Sequence, residues 1–399
     1  MVPNGWSIKT LEDLAAVERG KFSARPRNDP KYYGGKIPFV QTGDIASAKT
    51  YLSSFSQTLS EDGLKVSRLF PKNSILITIA ANIGDTAITS FEVACPDSLV
   101  GIQPKQDVDC FWLNSFLETC KDELDGKATQ NAQKNINLQV LKPLEILTPP
   151  YEEQRKIAKI LSTWDKAITT TERLIATSQQ QKKALMQQLL TGKKRLLNPE
   201  TGKVFEGGWE EVKLNQLALI TMGSSPKSEA YNEIGEGLPL LQGNADIKSR
   251  RSAPRIYTNQ ITKQCSIGDI LLSVRAPVGS VAKSDHKACI GRGIASIKAN
   301  KSNSQEYLYQ WLLAFEPKWE KLSQGSTFEA VNSNDIKTLN ILAPTLTEQQ
   351  IIASVLTAAD KEIELLQAKL AHLKQEKKAL MQQLLTGKRR VKVDVMEME

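Results

Sequence analysis

Ile352, Leu356, Ala359, Ile363, Leu366, Leu370, Leu373, Leu380 and Leu384 follow one another at alternating spacings of four and three, and Lys377 takes the single polar slot in the series. A seam held that long predicts a coiled coil rather than a helix lying on a globular core. The same phase occurs 195 residues earlier. There Ile157, Leu161, Trp164, Ile168, Ile175, Leu185 and Leu189 are apolar, while Thr171, Ser178 and Lys182 are polar. Each helix is predicted to start after proline (Pro149 and Pro150, Pro344) and to stop at Thr-Gly (Gly192, Gly387). The Lys and Arg residues that follow suit the negative end of the helix dipole. At about 1.5 Å per residue each helix would run roughly 60 Å. Neither helix buries its stripe alone, and the simplest partner for each is the other. The expectation is an intramolecular antiparallel coiled coil with pseudo-twofold symmetry, holding two inverted domains apart. Lys182 and Lys377 occupy equivalent seam slots, where a lysine either snorkels or sets register.

The periodicity belongs to a wider internal repeat. Residues 182–192 and 377–387 both read KKALMQQLLTG. PPYEEQRKIAKIL (149–161) lies over PTLTEQQIIASVL (344–356), and NSILITIAANIGDTA (73–87) over GDILLSVRAPVGSVA (268–282). At drifting offsets, Gly5-Trp6 matches Gly208-Trp209, Pro38 and Gln41 match Pro239 and Gln242, and Ala94-Cys95 is laid on Ala288-Cys289. Such a repeat decides the architecture before any local feature does. The chain divides into a variable segment 1–148, a constant helix and spacer 149–203, a second variable segment 204–343, a constant helix 344–390 and a tail 391–399. The fold class is α+β, as two similar mixed α/β domains separated by two long helices. Within the variable segments, SILITIA (74–80) and DILLSV (269–274) read as buried strands followed by turns. Helices are expected near 110–124 and 304–323, with each domain a compact sheet carrying one or two helices.

Composition narrows the function. Five cysteines without a CxxC pair suit a reducing compartment, and the two histidines, His286 and His372, have no Cys/His cluster for zinc. No apolar run is long enough for a bilayer and no cleavable signal stands at the start, which points to a cytoplasmic protein. Net charge is +8, and 151–203 alone holds 11 Lys and Arg against 5 acids. Elsewhere the cations cluster. Arg19, Lys21, Arg25, Arg27, Lys31 and Lys36 share a stretch with Asp29, and Lys248, Arg250, Arg251 and Arg255 have no acid between them. Such clusters fit either a phosphate-contacting face or an ordinary solvated surface.

Catalytic motifs do not assemble. Thr148-Pro149-Pro150-Tyr151 resembles part of an adenine methyltransferase motif but lacks the preceding Asn or Asp, and no glycine-rich cofactor loop accompanies it. Thr191-Gly192-Lys193-Lys194 is only a fragment of a phosphate-binding loop. No carboxylate–lysine nuclease core or Ser–His triad is visible. The chain reads as a non-catalytic recognition scaffold with no cofactor or metal of its own.

Two diverged domains share one set of marks: a Gly-Trp opening, a P-x-x-Q segment (Pro38 and Gln41, Pro239 and Gln242), and P-x-x-x-E-Q before a long helix ending in L-L-T-G. This arrangement resembles the specificity (S) subunit of type I restriction–modification enzymes. The resemblance covers nearly the whole chain, although the variable domains match only in outline. It implies two target recognition domains, each reading one half of a gapped, asymmetric site in double-stranded DNA. The helices would set the spacing and dock two methyltransferase (modification) subunits. S-adenosylmethionine, ATP and Mg would sit on those subunits and on the restriction/translocase subunits, which would carry the adenine-N6 methylation and the ATP-dependent cleavage. Half-site centres would lie roughly 34–36 Å apart if both domains read the major groove from one side.

Arginine on guanine and Asn or Gln on adenine are the common bidentate readouts, while lysines and hydroxyls more often take phosphate. The candidates in the first domain are Lys21, Arg25, Arg27, Lys31, Tyr32, Tyr33, Gln41, Thr42, Asn82, Gln130, Asn131, Gln133 and Lys134. Those in the second are Ser225, Lys227, Gln242, Asn244, Lys248, Arg250, Arg251, Arg275, Arg292 and Thr327. Any one of them could instead be a surface ion pair, and the mutual match of Gln41 and Gln242 also fits a structural role. Three other readings stay open: the recognition subunit of a fused restriction–methylation system, a coiled-coil adaptor that binds protein and no DNA, and a degenerate methyltransferase.

Overall fold

The computed structural model describes residues 2–128, 135–324 and 330–393, with side chains undescribed at 320–324. The candidates Gln130, Asn131, Gln133, Lys134 and Thr327 lie outside these residues. The chain forms two compact units, Met1–Glu172 with Ala368–Glu399, and Arg173–Gln367. Both long helices, Tyr151–Leu189 and Leu346–Leu384, cross from one unit into the other.

In the first unit, five strands pair in the order Ala15–Arg19, Leu99–Pro104, Ile75–Thr78, Thr86–Thr89, Tyr51–Leu52, and the last pair is parallel. A four-stranded sheet runs Gln57–Leu59, Tyr33–Phe39, Val93–Ala94, Leu69–Phe70. Ser7–Thr10 pairs with Glu145–Thr148. Every residue of Ile75–Thr78 is buried, because the strand is covered on both faces. Ile75 and Ile77 face a core with Trp112, Leu113 and Leu161, whereas Leu76 faces a second one with Val40, Phe70 and Leu99.

The second unit repeats the plan. Ala218–Met222, Ile294–Ala299, Ile270–Ser273, Val281–Lys283, Arg251–Ser252 and Ile247–Lys248 form six strands in that order. A five-stranded sheet contains Leu238–Leu241 and Ala288–Ile290, and Glu210–Lys213 pairs with Asn340–Ala343. Ile270 and Leu272 face one core, Leu271 the other. The single sheet expected per domain is therefore two larger sheets, with a core on each face of the main one. A short strand that is apolar at every position needs cover on both sides, and the second sheet supplies it. The expected inner helices are Cys110–Thr119, which gives way to Lys121–Gly126, and Gln305–Gln324.

The two long helices run antiparallel within each unit. Asp165 meets Lys377 at 2.6 Å and Glu172 meets Lys374 at 2.9 Å in the first; Asp360 meets Lys182 in the second. Every seam position named above is buried or half-buried, from Ile157 to Leu189 and from Ile352 to Leu384. The seam lysines do more than snorkel, since each pairs with an aspartate of the facing helix.

The repeated motifs converge on one module per unit. Gly387 and Gly192 end their helices in the left-handed region (φ 67° and 69°), which glycine adopts without strain. The indole of Trp6 packs on Gly387 and that of Trp209 on Gly192. Three residues beyond each glycine an arginine forks onto the glutamate at the start of the other helix. Arg390 gives Glu153 two bonds of 2.7 Å, and Arg195 gives Glu348 bonds of 2.5 and 2.7 Å. Each guanidinium also donates to the backbone beside the Gly-Trp opening, at Asn4 and Gly207, and lies over the tryptophan ring. The neighbouring glutamines anchor the inner helices: Gln154 accepts from the Asp109 N–H and Gln349 from the Ser304 N–H, both at 2.9 Å.

Candidate nucleic-acid interface

In each unit the main sheet ends in a loop cluster built by the same bonds. The Gly20 N–H donates to Leu99, Lys21 to Cys95 and Ile79 to Ser98. In the second unit Gly223 donates to Ile294, Ser224 to Ile290 and Val274 to Gly293. Gly20 and Gly223 are required by space, because a Cβ would stand 2.2 Å from the Pro96 oxygen or 2.1 Å from that of Gly291. These bonds correct the sequence alignment: Cys95 corresponds to Ile290 and not to Cys289, a shift of one residue. Cys95 is a packed core residue whose thiol burial pushes up to about 12. Asp97 and Arg292 thereby occupy equivalent places.

In the first unit the cluster gathers Lys21, Arg25 and Arg27, all exposed. Arg27 pairs with Asp97 at 3.1 Å, and Arg25 donates to the Ala24 carbonyl. Two more cations stand here that are not among the candidate readers: Arg19, which the sequence places in the basic stretch, and Arg68, which it does not single out. Arg19 donates to the Asp97 carbonyl at 2.6 Å, and Arg68 donates to the Arg19 carbonyl at 2.8 Å. The signal for Arg19 was its place at the end of a strand. Arg68 has none, because it comes from a distant segment, just before the strand Leu69–Phe70. Tyr32 and Tyr33 pack half-buried against Phe22, and Tyr33 also against Phe39, so their rings belong largely to a small core. Lys31 pairs with Asp29 and lies 4.9 Å over the Tyr32 ring. Gln41 precedes the helix Thr42–Ser47, takes Asp44 on its N–H and donates its amide to Gln57; Thr42 is half-buried. Asn82 is exposed on its turn.

In the second unit Ser225, Gln242, Arg275 and Arg292 come together. The Ser225 hydroxyl accepts the Arg292 N–H at 3.1 Å, and the Gln242 carbonyl accepts that of Gly293 at 3.1 Å. Arg275 follows Val274, whose N–H bonds Gly293. Arg275 and Arg292 are exposed, and neither guanidinium has a partner among the described residues. Asn244 follows Gln242 in a short 3-10 turn, and Lys227 sits near Ser225 with its N–H on Gln260.

The cluster expected at 248–255 does not form one cationic face. Arg250 forks onto Glu316 (3.1 and 2.7 Å), Arg251 pairs with Asp285 at 2.8 Å and Arg255 with Asp246 at 3.0 Å. The stretch looked bare of acids only because its acids arrive from other elements. Arg250 and Arg251 line a cavity with Lys182, Tyr309, Gln310 and Asp360, facing the helix pair and not the Arg292 loop. Lys248 is exposed at the sheet's far edge. Among the described residues no group of three or more His, Cys, Asp or Glu could hold a metal ion, and no helix is long and apolar enough to cross a membrane.

This duplicated scaffold, with constant helices and divergent loops, is matched by known proteins. The sequence model of the type I restriction modification DNA specificity domain matches residues 3–177 and again 206–375. The MjaX type I restriction enzyme specificity subunit of Methanocaldococcus jannaschii is 33% identical over 98% of this chain and 95% of its own. Two solved structures share the fold. One, described for complex assembly and conformational transition of the type I R-M system, has a TM-score of 0.63 at 24% identity, covering 96% of this chain and 98% of that one. The HsdS subunit from Thermoanaerobacter tengcongensis has a TM-score of 0.51 at 24% identity, over 97% and 98%. The chain belongs to the type I restriction–modification DNA specificity family.

Proposed function

We propose that the chain is the sequence-reading subunit of a type I restriction–modification complex. Each unit reads one half of a gapped, asymmetric site in double-stranded DNA through the loop cluster at the end of its main sheet. One observation carries this reading. Two copies keep the same backbone bonds at that cluster while exchanging the side chains it presents, Asp97 in one and Arg292 in the other. A scaffold that holds still while its contact residues diverge suits two targets that differ. The paired helices, 39 residues and about 58 Å each, set the gap and dock two modification subunits. Those subunits carry S-adenosylmethionine and the adenine chemistry, and the restriction subunits carry ATP-driven translocation and cleavage. This chain supplies recognition without catalysis.

Methylation-site sequencing tests it, in cells carrying the chain with its modification subunit. The expected result is a two-part asymmetric motif with N6-methyladenine on opposite strands, lost when this chain is deleted. Methylation that persists unchanged without the chain would sink the proposal and favour a protein-only adaptor. DNA affinity should also fall steeply with salt, as phosphate neutralisation requires.

A further inference from the structure

We infer that Arg292 is a base-reading residue of the second recognition domain and takes a guanine in its half-site; this rests on the function proposed above. Five successive backbone N–H groups around it are all donated inside the protein. Ile290 donates to Lys263 and Gly291 to Leu241, both at 2.8 Å. Arg292 donates to the Ser225 hydroxyl, Gly293 to Gln242 and Ile294 to Gly291, each at 3.1 Å. The loop therefore has no N–H left to offer a phosphate, and its only free donor is the Arg292 guanidinium.

The loop is also sterically fixed. A Cβ on Gly293 would stand 2.3 Å from the Gln242 oxygen, and one on Gly291 3.1 Å from the Gln242 Cα and 3.2 Å from the Ser225 hydroxyl. Arg292 thus projects from between two glycines wedged against a neighbouring strand end. A planar fork on a backbone held this firmly suits bidentate recognition of guanine O6 and N7, which depends on accurate placement. A phosphate contact needs no such placement and serves to position the domain.

The other copy supplies the contrast. Asp97 stands at the same place, with Arg27 on its carboxylate and Arg19 on its carbonyl. The first domain therefore presents no free arginine there, and the two half-sites should differ at the base this position faces.

The test is methylation-site sequencing of the full complex with Arg292→Ala and Arg292→Lys, beside the wild type. The expected result is relaxed preference at one base pair of one half-site, by on the order of 10–100-fold, with the other half-site unchanged. Lysine keeps the charge but not the fork, so R292K should relax the same base. An unchanged motif with methylation reduced evenly at all sites would assign Arg292 to phosphate and overturn the inference, as would an unchanged motif at full methylation. Failure of the underlying function looks different, since wild-type cells would then show no motif that depends on this chain.

Discussion

The guanidinium of Arg390 closes on the carboxylate of Glu153 with two bonds of 2.7 Å, across 237 residues of sequence. Arg195 and Glu348 repeat the contact in the second unit. The copies differ in one bond. The Trp6 indole donates to Glu153 at 2.9 Å, whereas the equivalent Trp209 nitrogen is buried without a partner among the described residues. Among the described residues the Glu348 carboxylate therefore has Arg195 as its one hydrogen-bond partner. Arg195→Ala should destabilise by about 3–5 kcal/mol, the cost of a buried carboxylate stripped of its cation, and Arg390→Ala by less. Denaturant titration of both variants checks the order; equal losses would mean the tryptophan bond contributes nothing.

The seam lysines give a second expectation. Lys377 and Asp165 meet at 2.6 Å with both side chains mostly buried. Replacing Lys377 alone by Met leaves Asp165 with the Thr50 hydroxyl at 2.8 Å but without its cation, and should destabilise the first unit. Replacing both by apolar residues should be neutral or stabilising, by up to about 1–4 kcal/mol. A double variant as weak as the single one would show that the pair itself holds the helices together.

Glu118 sets a pH dependence. Burial holds its carboxyl above the usual carboxylate range; Lys377 and the Asn114 amide pull the other way, and Asp165 adds to the rise. With the folded value above the unfolded one, the native state binds this proton more tightly. That contribution is complete below the unfolded value and is lost as pH rises through the folded one. Glu118→Gln stays neutral throughout, and Lys377 retains Asp165. The variant should match or exceed wild-type stability at neutral pH and flatten the stability curve just above the ordinary glutamate value. Melting temperatures across that window measure it, and a variant weaker at neutral pH would refute it.

Two glycines should separate the half-sites. Gly223→Ala forces a Cβ to 2.1 Å from the Gly291 oxygen, beside Arg292, and Gly20→Ala does the same against Pro96, beside Asp97. The first should disturb recognition of one half-site and the second that of the other. Methylation-site sequencing reads both, and an identical motif change from the two variants would contradict the division of labour.

From the sequence, four residues added after Thr171 should alter the tolerated gap and leave the half-sites intact. Thr171 lies at the border of the units, and the other helix crosses that border at Gln367 and Ala368. Lengthening one helix alone pulls the antiparallel partners out of step. Matched insertions after Thr171 and Gln367 should widen the gap, while the single insertion should mainly destabilise. A widened gap from the single insertion would show that one helix sets the spacing alone.

The helices were legible because a seam repeats at short range, and every apolar slot from Ile157 to Leu384 turned inward. Gly192 and Gly387 were legible because a left-handed stop suits glycine. The clamp was not, although all its residues lie within or beside repeated motifs. Nothing in a string of letters says that Arg390 reaches Glu153. The same limit misled the reading of 248–255, where Glu316 and Asp285 arrive from far along the chain. It also hid Arg68, and it gave no hint that Tyr32 and Tyr33 would pack on Phe22. Charge pairing across long separations is settled by topology, which local spacing does not encode.

The division of the helices also imposes an order of manufacture. The second unit is one continuous stretch, Arg173–Gln367, whereas the first waits for Ala368 and beyond to supply its other helix half and Arg390. Chains grow from the N-terminus and domains fold as units while they emerge. The half made first on the ribosome is therefore the last to be completed, and during that interval its seam lacks the facing helix.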